Sequence, residues 1–265
     1  MQPDHEREPG AAATEHFMYV AAHDLRNPIA VVKASAQMAQ RQITRGDMTA
    51  AQVRLSAIVE QADRVTEILE TFVDAARISA GRLNLRIEPV NVMDVIQAGV
   101  QRVRLLVGER GERQIDISAP DECIGHWDRA RVSRAFRALL ANALLYGDPE
   151  SPVTVAARAE HGSVVLSVSG GGRGPDEDEL SHLFERFYRG ASAAEAGQSG
   201  SGLGLFTARG IAREHGGDVR RVQGDVFELE LPVARPVASS TRTFDTWQCA
   251  RISAPCASAS GRWVT

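Results

Sequence analysis

The chain has 265 residues, of which 43% are hydrophobic, so it is long enough for one large domain or two smaller ones. Its formal net charge of −4 is small and gives no reason to expect nucleic acid or an anionic membrane as the main partner. The three cysteines show no metal-binding spacing, and no apolar run approaches the roughly 20 residues that span a bilayer. We therefore expect a cytoplasmic protein with reduced thiols and no membrane segment within this chain.

Two long amphipathic helices are predicted after a polar N-terminus, residues 1–12, that we expect to be disordered. The helices cover residues 15–45 and 49–79, with a short turn between them. Because a hairpin with one apolar seam per helix cannot bury both seams alone, we predict a homodimeric four-helix bundle formed through residues 15–80. The predicted seams comprise Met18, Ala21, Leu25, Val32, Ala36, Ala39, Leu55, Ile58, Ala62, Val65, Leu69, Phe72 and Ala76.

The pattern changes at Gly81, where short strands begin to alternate with helices. We predict strands at residues 82–90, 113–119, 123–127 and 226–233, helices at 91–107, 128–146 and 202–217, and a hairpin over 152–169 that turns at His161–Gly162. Strands and helices without strict alternation indicate an α+β sandwich with helices on one face of a sheet. The predicted domains are residues 13–80 and 81–235, followed by a mobile tail at 236–265 that has little periodicity.

The stretch "AAHDLRNPIAVV" places a histidine beside a carboxylate on the first helix. His23 lies off the apolar seam, and a neutral imidazole is a competent nucleophile whose other N–H Asp24 can hold. Pro28 removes a backbone hydrogen bond and is expected to kink the helix there. An isolated surface histidine would be unremarkable, so the functional interpretation depends on its neighbours.

Three later stretches have the character of a nucleotide site. "GSGLGL", residues 200–205, precedes and opens a helix, and backbone N–H groups at a helix N-terminus bind phosphate well. "RALLANALLYG" carries Asn142, whose amide oxygen is a hard ligand of the kind that Mg²⁺ prefers. "SVSGGGRGP" places a glycine cluster, residues 170–174, directly after a predicted strand. "LFERFYRG" supplies an aromatic pair between these glycine segments.

Taken in their order along the chain, the motifs resemble those of sensor histidine kinases of two-component systems. "HDLRNP" resembles the H-box, "NALLY" the N-box and "LFERFYRG" the F-box, while residues 170–174 and 200–205 resemble the two glycine boxes. The resemblance implies a dimerisation and phosphotransfer hairpin followed by an ATP-binding domain of the Bergerat, or GHKL, type. It covers roughly residues 14–235.

The family's known chemistry implies a role for each matching residue. His23 would be phosphorylated by ATP and would pass the phosphoryl group to a receiver-domain aspartate of a response regulator, with Asp24 as general base. Asn27 would orient water for dephosphorylating the regulator, and Asn142 would bind Mg²⁺. The implied nucleotide-binding residues are Asn142, Tyr146, Gly172, Gly174, Gly200, Gly202, Leu203, Gly204 and Leu205.

Three positions depart from the family's pattern. Gly170 stands where an aspartate normally accepts a hydrogen bond from the exocyclic amine of adenine, Ala138 replaces the first N-box asparagine, and Leu145 replaces a basic residue. A lost hydrogen bond to a charged group is worth roughly 1.5–3 kcal/mol, or on the order of 10- to 100-fold in affinity. The main hypothesis is therefore an ATP-dependent protein histidine kinase, possessing weakened autokinase activity. The alternative is a degenerate kinase with weak or no ATP binding, acting as a phosphotransfer or docking scaffold or as a regulator phosphatase.

Overall fold

The computed structural model of the protein describes residues 9–107, 112–190 and 200–233, with side chains from Met18 onward. Along the chain, a pair of long helices is followed by a sheet with helices packed on it, which confirms the predicted α+β class. The predicted mobile tail at 236–265 and residues 1–8 of the predicted disordered N-terminus lie outside the described residues.

The N-terminal pair consists of α1 (Pro9–Thr44) and α2 (Met48–Ser79), which pack against each other along their length. The expectation of disorder is wrong for residues 9–12, which are helical. Proline suits the first turn of a helix and the alanines that follow are strong helix formers, so the helix begins before the apolar seam does. Asp47 caps α2 by accepting a hydrogen bond from the Ala50 N–H at 3.0 Å.

The predicted seam is only partly covered within one chain. Ala39 and Phe72 are 3% and 5% exposed, whereas Met18, Leu55 and Leu69 are 64%, 50% and 47% exposed. A single hairpin therefore buries one part of its apolar surface and presents another part to its surroundings.

Within the described ranges, seven strands form two sheets. A two-stranded sheet pairs β1 (Glu88–Asn91) with β3 (Ile124–Trp127). The five-stranded sheet has the order β2-β4-β5-β7-β6, and only β2 and β4 are parallel neighbours. Its strands are β2 (Ile115–Ser118), β4 (Val153–Glu160), β5 (Ser163–Ser169), β6 (Asp218–Arg221) and β7 (Phe227–Pro232). The predicted hairpin is confirmed, because β4 and β5 pair and turn at residues 161–162.

The helices that pack with this sheet are α3 (Val92–Val107), α4 (Arg129–Tyr146) and α6 (Gly204–Glu214), with the short α5 (Glu177–Leu180) in a connecting segment. Their apolar faces meet the sheet around the fully buried Trp127, Phe136 and Leu229. The predicted cap of α4 is present, since the Asp128 carboxylate accepts from the Arg131 N–H at 3.1 Å. Helix α4 is the element that connects this core with the cavity described below.

A buried histidine ties the end of α6 to the start of α4. His215 is 4% exposed, and its Nε2 accepts a hydrogen bond from the Asp128 N–H at 3.0 Å. Its Nδ1 lies 2.8 Å from the Ile211 carbonyl oxygen, which is an acceptor. The two contacts together require the neutral imidazole with its proton on Nδ1.

Two strand predictions differ from the structure. The strand expected at 82–90 is present only at Glu88–Asn91, although Leu83 is buried in the core. Strand β6 was not predicted, because its sequence "DVRR" has one buried apolar residue, Val219, and pairs at the edge of the sheet with β7. Alternation in the sequence marks residues that alternate in burial, but it does not show whether a partner strand is beside them.

Candidate nucleotide-binding site

A cavity of about 970 Å³ opens where α2, α3 and α4 meet two glycine segments. The first glycine segment is residues 170–174 and the second is residues 200–205. This volume lies within the range of small-molecule and cofactor pockets, roughly 300–1,000 Å³. Its lining includes most of the residues that the resemblance assigned to nucleotide binding. These are Asn142, Tyr146, Gly174, Gly200, Gly202, Gly204 and Leu205.

The positions that depart from the family pattern face the same cavity. Ala138 and Leu145 contribute to its wall, so apolar surface replaces the polar groups expected there. Arginines also line the cavity and add positive charge to it: Arg64, Arg134, Arg137, Arg173 and Arg189.

Leu203 lies differently from its neighbours in the second glycine segment. Its side chain is 0% exposed and packs with Phe72 and Ala75 of α2 rather than along the cavity. The residues on either side, Gly202 and Gly204, line the cavity. The second glycine segment is therefore anchored by one leucine on the helical hairpin while its backbone remains open to a ligand.

The first glycine segment is pressed against the end of α4. A Cβ atom built on Gly170 would lie 2.4 Å from the Ala143 carbonyl oxygen and 2.8 Å from the Gly147 Cα. Both contacts are with backbone, which cannot move aside as a flexible side chain can. Gly170 is thus required by the packing of the segment on α4.

An arginine missed by sequence reasoning holds the same contact. One guanidinium nitrogen of Arg113 donates to the Ala143 and Leu144 carbonyl oxygens at 3.1 and 3.3 Å. The other donates to the carbonyl oxygens of Ser151 and Gly170 at 2.7 and 2.8 Å. These bonds join carbonyl groups at the end of α4 to those of Ser151 and Gly170, and the Ala143 carbonyl also accepts from the Gly147 N–H at 3.0 Å. Nothing in the sequence around Arg113 marks it for this role, because all its partners are distant backbone groups.

A carboxylate that sequence reasoning also missed lies on the first glycine segment. Asp225, in the turn between β6 and β7, lines the cavity. Its Oδ2 accepts from the N–H groups of Gly170 and Gly172 at 2.7 and 2.8 Å, and its Oδ1 accepts from the Ser169 hydroxyl at 2.7 Å. Gly172 therefore contributes to the site through its bond to this carboxylate.

Tyr188, from the aromatic motif, is an ionisable group on the cavity wall. Burial, followed by the Glu179 carboxylate, raises the pKa of its phenol. The phenol is therefore neutral at physiological pH and adds no negative charge where a phosphate chain would lie.

The histidine motif lies on α1 at the level of the cavity. Val20 and Ala21 pack with the Phe72 cluster, to which the cavity-lining Ile68 also belongs. The side chain of His23 is 54% exposed, and its Nδ1 lies 3.4 Å from Oδ1 of Asp24. Asn27 is exposed one turn further along, whereas Pro28 is buried.

A row of acidic residues on α2 faces arginines of the sheet domain. Asp74 is 3% exposed and pairs with Arg134, which also contacts Glu70. Arg137 contacts Glu67, with 2.8 Å between Nε and Oε1. A further pair joins Asp63 to Arg102 of α3 at 2.9 Å. These charges form a contact between helices.

Two family models match the chain. Residues 13–81 match "His Kinase A (phospho-acceptor) domain", and residues 127–235 match "Histidine kinase-, DNA gyrase B-, and HSP90-like ATPase". The first spans the hairpin that carries His23, and the second includes α4, both glycine segments and Asp225. The chain belongs to the sensor histidine kinase family.

Relatives of this chain include the signal transduction histidine-protein kinase AfsQ2 of Streptomyces coelicolor, which is 31% identical over 236 residues. That match covers 83% of this chain and 42% of AfsQ2. Sensor histidine kinase MtrB of Mycolicibacterium paratuberculosis is 30% identical over 226 residues, covering 83% of this chain and 39% of MtrB. The chain thus spans about two fifths of the length of these relatives.

Solved structures share the fold of this chain. The Acinetobacter baumannii histidine kinase AdeS aligns with a TM-score of 0.52 and 18% identity, over 80% of this chain and 98% of that one. Full-length ShkA, solved in complex with AMPPNP, aligns with a TM-score of 0.55 and 20% identity, over 71% of this chain and 39% of ShkA. Across the part of the chain that the structure describes, each helix is too short or too polar to cross a membrane.

Proposed function

We propose that the chain is an ATP-dependent protein histidine kinase that phosphorylates itself on His23 and passes the phosphoryl group to an aspartate of a response-regulator receiver domain. The observation that carries this proposal is the composition of the cavity wall. Asn142 and the glycine segments line it from the ATPase domain, while Arg64 and Ile68 line it from the hairpin that bears His23. One cavity thus borders both the predicted nucleotide site and the phospho-acceptor helices.

The geometry of His23 suits a nucleophile. With the imidazole proton on Nδ1, facing the Asp24 carboxylate at 3.4 Å, the lone pair of Nε2 is available to attack the γ-phosphorus. The new N–P bond forms as the bond between the γ-phosphorus and the β,γ-bridging oxygen breaks, so that ADP leaves. Asp24 then stabilises the positive charge on the ring and can accept the Nδ1 proton.

The residues present fit Mg²⁺ as the accompanying ion. Within the described ranges, no cluster of three or more His, Cys, Asp or Glu residues is arranged to hold a metal. The Asn142 amide oxygen is one donor on the cavity wall, and Mg²⁺ commonly takes one or two protein oxygens together with substrate phosphates and water. When bound, the ion would neutralise charge on the phosphates.

The proposed cellular form is a cytoplasmic homodimer assembled through residues 15–80. Exposed apolar side chains on both hairpin helices support it, because a second copy would remove them from water. On the exposed face of α1, Asn27 follows His23 by one turn, and we propose that its amide orients water when the phosphorylated regulator is docked there. The regulator itself is defined only as a receiver domain with a phosphorylatable aspartate.

The test uses the whole chain with γ-labelled ATP and Mg²⁺. We expect acid-labile label on the wild type and complete loss in His23→Ala, because the nucleophile has been removed. His126→Ala is the matched control, since it removes another exposed histidine, one on β3, and should keep the label. Absence of label on the wild type at saturating ATP, or its persistence in His23→Ala, would contradict the proposal.

A further inference from the structure

We propose that Asp225 recognises the adenine base by accepting a hydrogen bond from its exocyclic amine, in place of the carboxylate that position 170 lacks. This inference rests on the proposed function in one respect, namely that the ligand is an adenine nucleotide. It assigns a specificity-determining role to a residue outside both glycine segments.

The position of the Asp225 carboxylate supports this role. Asp225 lines the cavity and is bound through Oδ2 to the N–H of Gly170, 2.7 Å away. The carboxylate is therefore adjacent to the backbone position at which the family resemblance expects one. It reaches that place from the β6–β7 turn, 55 residues further along the chain.

Position 170 has no space for a carboxylate of its own. The Cβ that an aspartate needs would be 2.4 Å from the Ala143 carbonyl oxygen, well inside any normal contact. Gly147, on the other side of the contact, is equally restricted, with Gly170 backbone atoms 2.5 and 2.6 Å from its own Cβ position. With this backbone arrangement, a carboxylate can enter only from a neighbouring segment.

The Asp225 carboxylate also has unused hydrogen-bonding capacity. A carboxylate offers about four lone-pair positions. The bonds from Gly170, Gly172 and the Ser169 hydroxyl use three of them, two on Oδ2 and one on Oδ1. One position on Oδ1 therefore remains for a donor. An exocyclic amine is such a donor, whereas the keto oxygen of hypoxanthine is an acceptor and would be repelled.

The turn that carries Asp225 is held firmly against the first glycine segment. Gly174 has a φ of +79°, and a Cβ there would lie 1.9 Å from the Gly224 carbonyl oxygen, so only glycine allows this approach. Arg221 donates to the same carbonyl oxygen at 2.6 Å. The carboxylate is thus fixed before a ligand arrives, and its ordering does not weaken binding.

The test measures equilibrium binding of ADP and inosine diphosphate to the full chain. These diphosphates carry no transferable γ-phosphate. Their bases differ at one carbon, where adenine has an amine and hypoxanthine a keto oxygen, and at the neighbouring ring nitrogen, which carries a proton in hypoxanthine. We expect the wild type to bind ADP about 10- to 100-fold more tightly, which corresponds to one hydrogen bond to a charged acceptor. Asp225→Asn should reduce this ratio to near one, because its amide can donate to the keto oxygen.

The asparagine variant is suited to the test because its remaining oxygen can still accept from the two glycine N–H groups, and its folding is checked by thermal unfolding. Asp176→Asn is the matched control: it neutralises an exposed carboxylate that follows the same glycine segment, and it should preserve the ratio. Equal binding of the two nucleotides by the wild type, or an unchanged ratio in Asp225→Asn, would overturn the inference while leaving the kinase proposal standing.

The binding measurements can also establish the role of Asp225 independently of the kinase proposal. A selective wild type that loses its selectivity in Asp225→Asn establishes the role of Asp225, even if no label ever reaches His23. A wild type that binds neither nucleotide contradicts both the kinase function and the role of Asp225.

Discussion

Gly147 and Gly170 meet where α4 ends, and neither position can accept a side chain. From the sequence alone, the glycine at 170 is a lost aspartate and a sign of weakened ATP binding. The structure adds a packing requirement, since the glycine lets a loop approach the end of a helix, where Arg113 bonds to carbonyls of both segments. The absence of an aspartate at position 170 therefore does not by itself show that the site lacks a carboxylate.

This contact predicts that Gly170→Asp will not restore a better site. The new Cβ must displace backbone at Ala143 or Gly147, and overpacking of this kind typically costs about 1–3 kcal/mol. We expect the free energy of unfolding, measured by urea titration, to fall by that amount, together with weaker ADP binding. Gly200→Asp is the matched control for the unfolding measurement alone, because no atom lies within 4 Å of its Cβ position. Its ADP binding is not compared, since Gly200 lines the cavity. Unchanged stability and tighter ADP binding in Gly170→Asp would refute this.

At the scale of elements, the acidic row of α2 and the arginines of α4 form the principal polar contact between hairpin and sheet domain. Asp74 is nearly inaccessible to solvent and pairs with Arg134, whereas Asp63 and Arg102 at the other end remain 53% and 29% exposed. Exposed pairs typically contribute about 0–1 kcal/mol, while removing one partner of a buried pair is far more costly. The ion pairs of this row therefore contribute unequally to stability along the helix.

Asp74→Ala is accordingly expected to loosen the contact between α2 and the second glycine segment. Leaving the Arg134 guanidinium with fewer partners should cost about 1–3 kcal/mol, so amide exchange near Leu203 and Phe72 should accelerate about 10- to 100-fold. Asp63→Ala removes a carboxylate from the same row at its exposed end and should change exchange little. Equal effects of the two substitutions would show that burial of the Asp74 pair is unimportant.

The accuracy of sequence prediction differed between elements for physical reasons. Both long helices and the β4–β5 hairpin were predictable, because sustained periodicity and the His161–Gly162 turn are local signals. Strand β6 was not, since four residues with one buried valine depend on their pairing with β7. Asp225 and Arg113 were missed for a similar reason, because each acts on segments distant in sequence.

At the scale of the whole molecule, the exposed apolar surface of the hairpin is the feature that most needs a partner. Large apolar side chains on α1 and α2 are at least 44% exposed in one chain. They comprise Met18, Tyr19, Ile29, Val31, Met38, Ile43, Met48, Val53, Leu55, Val59, Leu69 and Val73. A four-helix bundle made from two hairpins is the simplest arrangement that covers such surfaces.

Charge placed on this surface should therefore convert a dimer into a monomer. We expect sedimentation of the wild-type chain to show a dimer and of Leu55→Glu/Val59→Glu to show a folded monomer, since two buried carboxylates cost more than the contact provides. Arg54→Glu, which adds a carboxylate about 100° from Leu55 and about 140° from Val59 around the same helix, is the control and should remain dimeric. A monomeric wild type at micromolar concentration would contradict the proposed assembly.

The burial of Leu203 links the second glycine segment to the conformation of the hairpin. Its side chain is fully buried against Phe72 and Ala75, while the glycines on either side of it border the cavity. Any rotation of α2 that displaces this leucine must also displace the loop, so nucleotide affinity and hairpin conformation are thermodynamically linked. Linkage is reciprocal: the free energy by which a twisted hairpin changes ADP or ATP binding equals the free energy by which a bound nucleotide resists that twist. Through this buried leucine, nucleotide binding in the cavity would change the relative stability of hairpin conformations, and a conformational change of the hairpin would change nucleotide affinity.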